Sequence, residues 1–398
     1  MSEWVLLGSV AAALYVLECC VWLDRNAWCC FQIPVKGAWT AASAASLPGT
    51  DGLGAALSDP FRLSGAIVEC DPWPFAISPD GLTSEVIFPP GHNARYSEYI
   101  SFEQIDLIEV QFGDVRINGK TFLQLGSSLM AENASRLIQG VHALPLQERS
   151  AAIAAEVSRS FDLSAIKRRW SAFRRDTRVL KWCSIAGFAY TFVVVPTCLF
   201  WWGPLQSWLW LAVGLFGLST TIAILFFRVH ARLYPTLPYD RWVQSVSMVL
   251  FPIASIRSVD RLSRELLRWN NPMAVVPVMC SPEDSLAVLR RLWFDLSGTA
   301  KEEIASQPSS PIAKCSEWFR QTIEGEAEAT LGRLGADIFR SPSQDDPSMT
   351  SYCPRCQVQY RDLTPKCADC PSIDLVRFEN LDRREGGAAS TLTVSHAG

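Results

Sequence analysis

The chain has 398 residues, of which 49% are hydrophobic and 19% charged, and its formal net charge is −4. This length allows two or three modules, and the acidic balance gives no global reason to expect nucleic acid as a partner. The 13 cysteines form no evident extracellular framework, which favours a reducing compartment. Several of the 15 tryptophans bracket apolar runs, as in the aromatic belt of a membrane protein.

Residues 1–23 are predicted to form an uncleaved membrane anchor. Residues 4–23 carry a single charge, Glu18, and reach the length of about 20 residues that a span needs. The segment before them has no basic residue, and bulky residues follow the apolar run, unlike a cleaved signal peptide. Glu18 lies roughly 7 Å from the end of the run at helical rise, so we expect it to reach the headgroup region.

Residues 24–63 are predicted to be a loosely ordered connector, because most of them are rich in Ala, Gly and Ser. Residues 64–161 alternate like short strands and end in helical patterns. The pair Asn118-Gly119 between two strand-like runs predicts a type I′ hairpin, since both turn residues need positive φ. This series of strands closed by a helix resembles the pleckstrin-homology-type sandwich of some bacterial membrane proteins. The resemblance implies a cytoplasmic β-sandwich (α+β) domain.

Residues 162–181 are predicted to be a basic juxtamembrane helix that leads into a transmembrane hairpin over residues 182–228. Two uncharged runs, 183–202 and 208–227, are separated only by the uncharged residues 203–207. Basic residues stay on the cytoplasmic side, so both flanks lie inside and the loop outside. By parity, the N-terminus lies outside and residues 24–181 in the cytoplasm. The basic residues before the hairpin are Lys167, Arg168, Arg169, Arg174, Arg175, Arg178 and Lys181.

Residues 241–269 are predicted to be an interfacial amphipathic region, with a re-entrant path as the close alternative. The stretch 242–256 is uncharged but short, and it contains Pro252. As a span it would place the arginines at 257, 261, 264 and 268 outside, against the charge rule. Apolar residues at helical spacing between those arginines favour a helix in the interface. The predicted fold is therefore an integral membrane, multi-domain protein with three transmembrane helices and a cytoplasmic C-terminus.

Residues 281–340 are predicted to be a helical cytoplasmic region. Ser281 and Pro282, followed by two acids, form a helix start. Residues 341–350 are rich in Ser, Pro and Asp and are predicted to be a flexible linker. Residues 380–398 consist largely of small residues and are predicted to be a disordered tail.

The strongest motif is a pair of CxxC turns within residues 351–379, at Cys353, Cys356, Cys367 and Cys370. Each turn directs two thiolates at one ion, and two turns complete a closed tetrahedral site for structural Zn²⁺. A redox dithiol and purely structural cysteines are the alternative readings. Residues 352–375 resemble short bacterial zinc ribbons of the form CPxC…Y…CxDC…L.

The ribbon resemblance places Tyr360 at the usual aromatic position. The chain departs from the pattern at Gln357 and Pro371, which stand where such ribbons often carry Gly. Residues 351–379 contain four basic and four acidic residues, so counterion release would contribute little to nucleic-acid binding, and nucleic acid is an unlikely partner.

No motif nominates a catalytic or cofactor-binding residue, so enzymatic activity is disfavoured. We expect a protein of the bacterial inner membrane, whose partners are the lipid bilayer and a cytoplasmic or membrane protein. The leading function is a membrane-anchored scaffold or regulatory protein that presents its β-rich domain and its zinc ribbon. The alternative is an accessory subunit of a membrane transport or enzyme complex.

Overall fold

The computed structural model describes most of the chain. The described residues are 3–22, 27–33, 36–44, 55–57, 65, 67–84, 98–202, 204–306, 310–361, 365–370 and 373–378. The tail predicted over residues 380–398 lies outside them.

Most of the described strands lie before residue 125, and helices form most of the described chain from residue 128 to residue 334. The helices are α1 (Glu3–Glu18), α2 (Ser128–His142), α3 (Leu146–Ser160), α4 (Leu163–Asp176), α5 (Arg178–Ala189), α6 (Val195–Trp202), α7 (Pro204–Leu233), α8 (Pro238–Leu250), α9 (Pro252–Ser255), α10 (Ser258–Glu265), α11 (Pro272–Met279), α12 (Pro282–Ser306) and α13 (Pro311–Leu334). The strands are β1 (Cys20–Trp22), β2 (Trp28–Gln32), β3 (Trp39–Ser43), β4 (Ala55–Leu57), β5 (Ile67–Cys70), β6 (Ala76–Ile77), β7 (Gly81–Thr83), β8 (Tyr99–Ser101), β9 (Ile108–Gln111), β10 (Asp114–Ile117), β11 (Lys120–Gln124), β12 (Ser351–Tyr352), β13 (Gln359–Tyr360) and β14 (Val376–Arg377).

The described strands form small antiparallel sheets. Three-stranded sheets have the orders β3-β2-β5, β6-β7-β8, β11-β10-β9 and β13-β12-β14, and β1 pairs with β4. The predicted hairpin is present between β10 and β11, where Asn118 and Gly119 have φ values of 51° and 80°. A second tight turn joins β9 to β10 at Phe112 and Gly113, which also have positive φ.

For two predictions in this region the structure shows a different arrangement. The connector predicted over residues 24–63 contains β2 and β3, which pair with each other and with β5. Strand β2 is apolar at four consecutive positions and β3 consists mostly of small residues, so the alternation of a strand is not visible in either. The strands of residues 64–161 also do not form one pleckstrin-homology-type sandwich, because they are divided among three separate sheets, one of which includes β2 and β3.

The β-rich region and the helical region after the hairpin share one hydrophobic core, so they are not the separate units predicted over residues 64–161 and 281–340. The Trp73 ring stacks 4.4 Å from the Trp269 ring and 5.8 Å from the Phe319 ring. The Trp73 indole N–H also donates to the Trp269 carbonyl at 3.1 Å. Because this core joins chain segments on both sides of the apolar hairpin, both segments lie at the same end of it.

Two helices are long and apolar enough to cross a membrane, Arg178–Trp202 and Trp208–Leu233. The first is α5 continued through the π-helical turn Tyr190–Val194 into α6, and the second lies within α7. The predicted hairpin therefore corresponds to two antiparallel helices with exposed apolar faces. Helix α1 ends at Glu18, five residues before the end of the predicted anchor, and the chain continues into β1.

Helices α8 to α10 form a helical loop beside α7. The Trp242 ring lies 4.9 Å from the Phe227 ring, and Ser219 donates to the Met248 carbonyl at 2.6 Å, so α8 runs antiparallel to α7 toward its middle. The path reverses near Pro252. Helix α10 then returns to the C-terminal end of α7, where the Tyr234 hydroxyl donates to the Leu262 carbonyl at 2.5 Å.

Two of the four arginines of this region, Arg261 and Arg264, are partly exposed, and the other two are withdrawn from solvent. Arg257 and Arg268 are buried, and Arg257 pairs with Asp260 at 2.8 Å. Periodic arginines on a helix normally indicate a solvated face. Two of the carboxylates that pair with these arginines, Glu69 and Asp71, lie almost 200 positions earlier in the chain, so local periodicity did not indicate the burial of Arg268.

A buried ion network joins β5 to the end of α10. Arg268 lies 2.7 Å from the Asp71 carboxylate, 3.2 Å from Glu265 and 3.6 Å from Glu69. Arg264 approaches Glu69 at 3.8 Å and Glu265 at 3.9 Å. Three carboxyl groups and two guanidinium groups thus meet in one network.

The protons of this network divide unequally among its carboxyl groups. Burial raises the pKa of the Glu69 carboxyl to about 8, although Arg268 and Arg264 act in the opposite direction. Burial would also raise the pKa of Glu265, but Arg268 and Arg264 outweigh it and hold that pKa below its ordinary value. Glu69 is therefore the carboxyl that keeps its proton near neutral pH.

We predict that Glu69→Gln preserves stability near neutral pH, whereas Asp71→Asn lowers the free energy of unfolding by about 3–5 kcal/mol, because it removes one partner of a buried ion pair. A raised carboxyl pKa stabilises the fold fully below the ordinary value of about 4.3, and this contribution is lost as the pH rises toward the folded-state value. The wild-type protein should therefore lose stability from mildly acidic pH up to about pH 8, and Glu69→Gln should not.

Thermal unfolding of detergent-solubilised protein over this pH range is the measurement. Equal destabilisation by the two substitutions would contradict the assignment of the proton to Glu69. The assignment would also be contradicted if the stability of Glu69→Gln varied with pH in the same way as that of the wild type.

Candidate metal centre

The first cysteine pair lies on a tight turn that follows β12. The turn is closed by the Gln357 backbone N–H, which donates to the Cys353 carbonyl at 2.8 Å. Gln357 itself has a φ of 60°, in the left-handed region where glycine is favoured. Zinc ribbons often carry Gly at this position. Gln357 adopts the left-handed backbone conformation expected of such a glycine, although it carries a side chain.

The second pair is presented by a similar backbone arrangement. The Cys367 N–H donates to the Ile373 carbonyl at 3.1 Å, and the Ile373 N–H donates to the Cys370 carbonyl at 2.8 Å. Lys366 and Asp374 form an isolated β-bridge at the base of this turn. Pro371, the second departure from the ribbon pattern, lies outside the described residues.

The fold brings all four predicted cysteines together. Their sulfur atoms lie within 4.8 Å of one another, and the Cys356 and Cys367 sulfurs are 3.6 Å apart. A tetrahedral ion with metal–sulfur bonds of about 2.3 Å needs sulfur atoms about 3.8 Å apart. Three of the four cysteines are buried and Cys356 is half-buried, so the site is closed and its donors fit a metal ion.

Two neighbouring side chains add hydrogen bonds to the sulfurs. The Tyr360 hydroxyl lies 3.2 Å from the Cys367 sulfur, and an Arg355 N–H donates to the Cys370 sulfur at 3.2 Å. Burial would raise the pKa of the Cys367 thiol, but the hydrogen bonds from Tyr360 and the neighbouring thiols lower it to about 7. At Cys353 burial is the largest effect and raises the pKa. The Tyr360 contact favours thiolate at Cys367, the form that binds metal.

Arg355 also attaches the ribbon to the helical region. Its second terminal nitrogen donates to the Asp295 carboxylate on α12 at 2.6 Å. The sequence motif did not identify Asp295, because nothing in its local sequence distinguishes it from a solvated helix residue. The Arg355 guanidinium group therefore links Cys370 of the cysteine cluster to α12, a helix that packs in the shared core.

The predicted linker at residues 341–350 contacts the ribbon. The Gln359 side chain donates to the Ser343 carbonyl at 2.8 Å and accepts from the Asp345 N–H at 3.0 Å. The Ser341 and Tyr352 hydroxyls lie 2.8 Å apart. Its Ser and Pro content predicted flexibility, but the linker's backbone groups find partners in the ribbon.

The remaining cysteine-rich segments carry no comparable site. Cys29, Cys30 and Cys70 are fully buried on adjacent strands β2 and β5. Burial raises the pKa of the Cys29 and Cys70 thiols, as expected of packed thiols. Among the residues that the structure describes, the four C-terminal cysteines form the one metal-compatible cluster of three or more such side chains.

Comparison of the chain with protein-family models, with curated proteins and with solved structures finds no match. The chemistry of this centre is therefore argued from its geometry alone.

We predict that the full-length protein binds one equivalent of metal, and that Cys353→Ser or Cys370→Ser reduces this to less than about half an equivalent, because structural sites of this kind need all four ligands. Metal content of the purified protein is the measurement. Cys198→Ser, which changes a half-buried cysteine in α6, is the matched control and should retain the metal. Unchanged metal content in both ribbon variants would contradict the site.

Proposed function

We propose that the cysteine cluster holds one structural Zn²⁺. Support comes from the all-thiolate ligand set, the sulfur separations and the closed surroundings, which suit zinc and leave no open coordination position. A module of about 30 residues buries too little core to fold alone, so the ion would stabilise the ribbon. The residues of this chain supply the ligands, and Arg355 balances part of the thiolate charge.

We also propose that α1 is a third membrane span beside the α5–α7 hairpin. Support comes from Tyr15, whose ring packs 5.5 Å from Phe188 and 5.0 Å from Phe192, and from the exposed side chains Leu6, Val10, Leu14 and Leu17 on another face. Its 16 residues correspond to roughly 24 Å, less than the hydrocarbon core of about 30 Å, a difference that local bilayer thinning accommodates.

The proposed topology has the N-terminus outside and the C-terminus in the cytoplasm of a bacterial cell. The basic flanks of the hairpin favour it, and so does the shared core, which places residues before α5 and after α10 at the same end. Helices α8 to α10 would then form a re-entrant loop. The break near Pro252 is tolerable at membrane depth, because the chain that follows it is covered by protein, with Ala254 and Ser255 buried.

We infer from this arrangement a membrane-anchored scaffold or regulatory protein. The observation that carries the inference is the Arg355–Asp295 contact, which holds the ribbon on a helix of the core. A ribbon fixed in this way presents a defined surface near the membrane, on which Val358 and Val376 are exposed. Its balanced charge suits a protein partner better than nucleic acid.

The second candidate is an accessory subunit of a membrane transport or enzyme complex. It is favoured by the exposed aromatic side chains Phe200, Trp201, Trp202 and Trp210 at the far end of the hairpin. This surface would contact either lipid or a neighbouring membrane subunit.

We predict that reporter domains fused after Pro311 and after Gly398 report the cytoplasm, whereas one inserted after Gly203 reports the outside. The basic flanks and the shared core give the physical reason. Alkaline phosphatase and green fluorescent protein fusions provide complementary readouts. An outside signal from the fusion after Gly398 would overturn the topology.

We further predict that partners captured from mild-detergent extracts are recovered in smaller amounts, by about ten-fold, with Cys353→Ser, because the unfolded ribbon loses its binding surface. Quantitative mass spectrometry of the captured proteins is the measurement, with Cys198→Ser as the control. Partners that persist with Cys353→Ser but are lost with Trp201→Ala and Trp210→Ala together would support the accessory-subunit reading instead.

A further inference from the structure

A cavity of about 590 Å³ lies where the apolar helices meet the core. Its walls come from the ends of α1 and α7, the first turns of α2 and α8, and from α10. Leu17 and Glu18 of α1 lie on its rim, where Leu17 is exposed. Its volume is typical of a small-molecule site. The cavity is distinct from the metal centre, whose cysteines do not line it.

One wall of the cavity carries three arginines, each beside a carboxylate of the lining: Arg257 beside Asp260, Arg261 beside Glu18 and Arg264 beside Glu265. Arg257, Arg261 and Arg264 of this wall follow one another at helical spacing on and just before α10. Arg261 donates to Glu18 at 3.1 Å and to the Ser247 hydroxyl at 3.3 Å. The Arg261 and Arg264 side chains remain partly exposed, so they present guanidinium N–H groups at the mouth of the cavity.

A second wall, formed by α7 and α8, presents hydrogen-bond acceptors, and Arg261 adjoins it through Ser247 of α8. Asp240 and Gln244 lie one turn apart on α8, and His230 lies near the end of α7. His230 is only 3% exposed, and neither its Nδ1 nor the Gln244 Oε1 has a hydrogen-bond partner among the described residues. Asp240 forms no ion pair within that part of the chain. Unsatisfied buried polar atoms are costly, so these groups point to a bound partner.

The two walls together recognise a zwitterion. Guanidinium groups bind phosphate, often with two parallel hydrogen bonds. A carboxylate and two neutral acceptors suit a primary ammonium group, which donates three hydrogen bonds and accepts none. Three carboxylates of the lining lie beside these arginines, whereas Asp240 forms no ion pair among the described residues, so a purely anionic ligand would leave Asp240 without a cation.

The position of the cavity fits a lipid headgroup. It lies at the ends of α1 and α7 that face the core, and the exposed basic residues Arg228 and Arg232 mark the same end of α7. In the topology proposed above this is the level of the cytoplasmic headgroups, where pockets between membrane helices bind lipids.

We propose that this cavity binds the headgroup of a phospholipid that carries both a phosphate and a primary ammonium, such as phosphatidylethanolamine. The phosphate faces Arg261 and Arg264, and the ammonium faces Asp240, Gln244 and His230. The acyl chains leave along the exposed side chain of Leu17. This inference rests on the proposed membrane topology.

The test is lipid retention by the full-length protein. It is reconstituted in vesicles with equal parts of phosphatidylethanolamine, phosphatidylcholine and phosphatidylglycerol, extracted in mild detergent, and its bound lipid is quantified by mass spectrometry. Phosphatidylethanolamine should be retained selectively, because the choline ammonium has no N–H to donate and glycerol carries no positive charge. Retention should fall by about ten-fold or more in Asp240→Asn and in Arg261→Gln, each of which removes a charge-assisted contact.

Matched controls change the same charges outside the cavity. Asp176→Asn alters an acid that pairs with Arg175 at the surface, and Arg232→Gln alters an exposed arginine of α7, so both should retain the lipid as the wild type does. Equal retention of the three lipids by the wild type would overturn the proposal even if a variant does not fold. Displacement of the lipid by excess inorganic phosphate would overturn the assignment to lipid.

Carbonate extraction of membranes separates this proposal from the one on which it rests. Release of the wild-type protein by alkaline carbonate would refute membrane integration and the proposed function with it. Retention in the membrane without lipid selectivity would refute the headgroup site alone.

Discussion

The rest of the structure depends on the contact of Arg268 with the carboxylates of Glu69 and Asp71. This buried network and the adjacent stack of Trp73 on Trp269 join two chain segments that are separated by the entire apolar hairpin. A buried guanidinium group is costly to dehydrate, and it is stable here because several carboxyl groups surround it. Its pKa is raised, since Asp71, Glu265 and Glu69 outweigh the effect of burial.

This connection constrains the apolar helices. Because the segments before α5 and after α10 meet in one core, the hairpin has both of its ends at that core, and α8 to α10 must return to the same end. The same constraint forms the polar cavity, because it places α10 and its arginines next to the ends of α1 and α7. The network, the helical loop and the cavity are therefore consequences of one long-range association.

The metal centre is attached to this unit through far fewer groups. Arg355 reaches Asp295 of α12, and the linker adds hydrogen bonds to the ribbon rather than to the core. A small ribbon of three two-residue strands has little apolar surface to bury, so its cohesion depends on the cysteine cluster. Loss of metal would thus affect the ribbon and leave the shared core in place.

The sequence by itself determined the features that short-range patterns encode. Two CxxC turns identified all four clustered cysteines, the Asn118-Gly119 pair identified its hairpin, and two uncharged runs identified the two helices that are long enough to cross a membrane. These signals are local, because turn conformation, ligand spacing and apolar length depend on neighbouring residues.

Only the tertiary structure decided which segments share a core, and where the arginines of residues 257–268 point. Two of their partners, Glu69 and Asp71, lie far away in the chain, whereas local periodicity predicted only an amphipathic helix in the membrane interface. The strands β2 and β3 of the predicted connector also depend on long-range pairing, because β2 pairs with β5 as well as with β3. Long-range pairing depends on contacts between distant residues, and a single sequence carries no local record of such contacts.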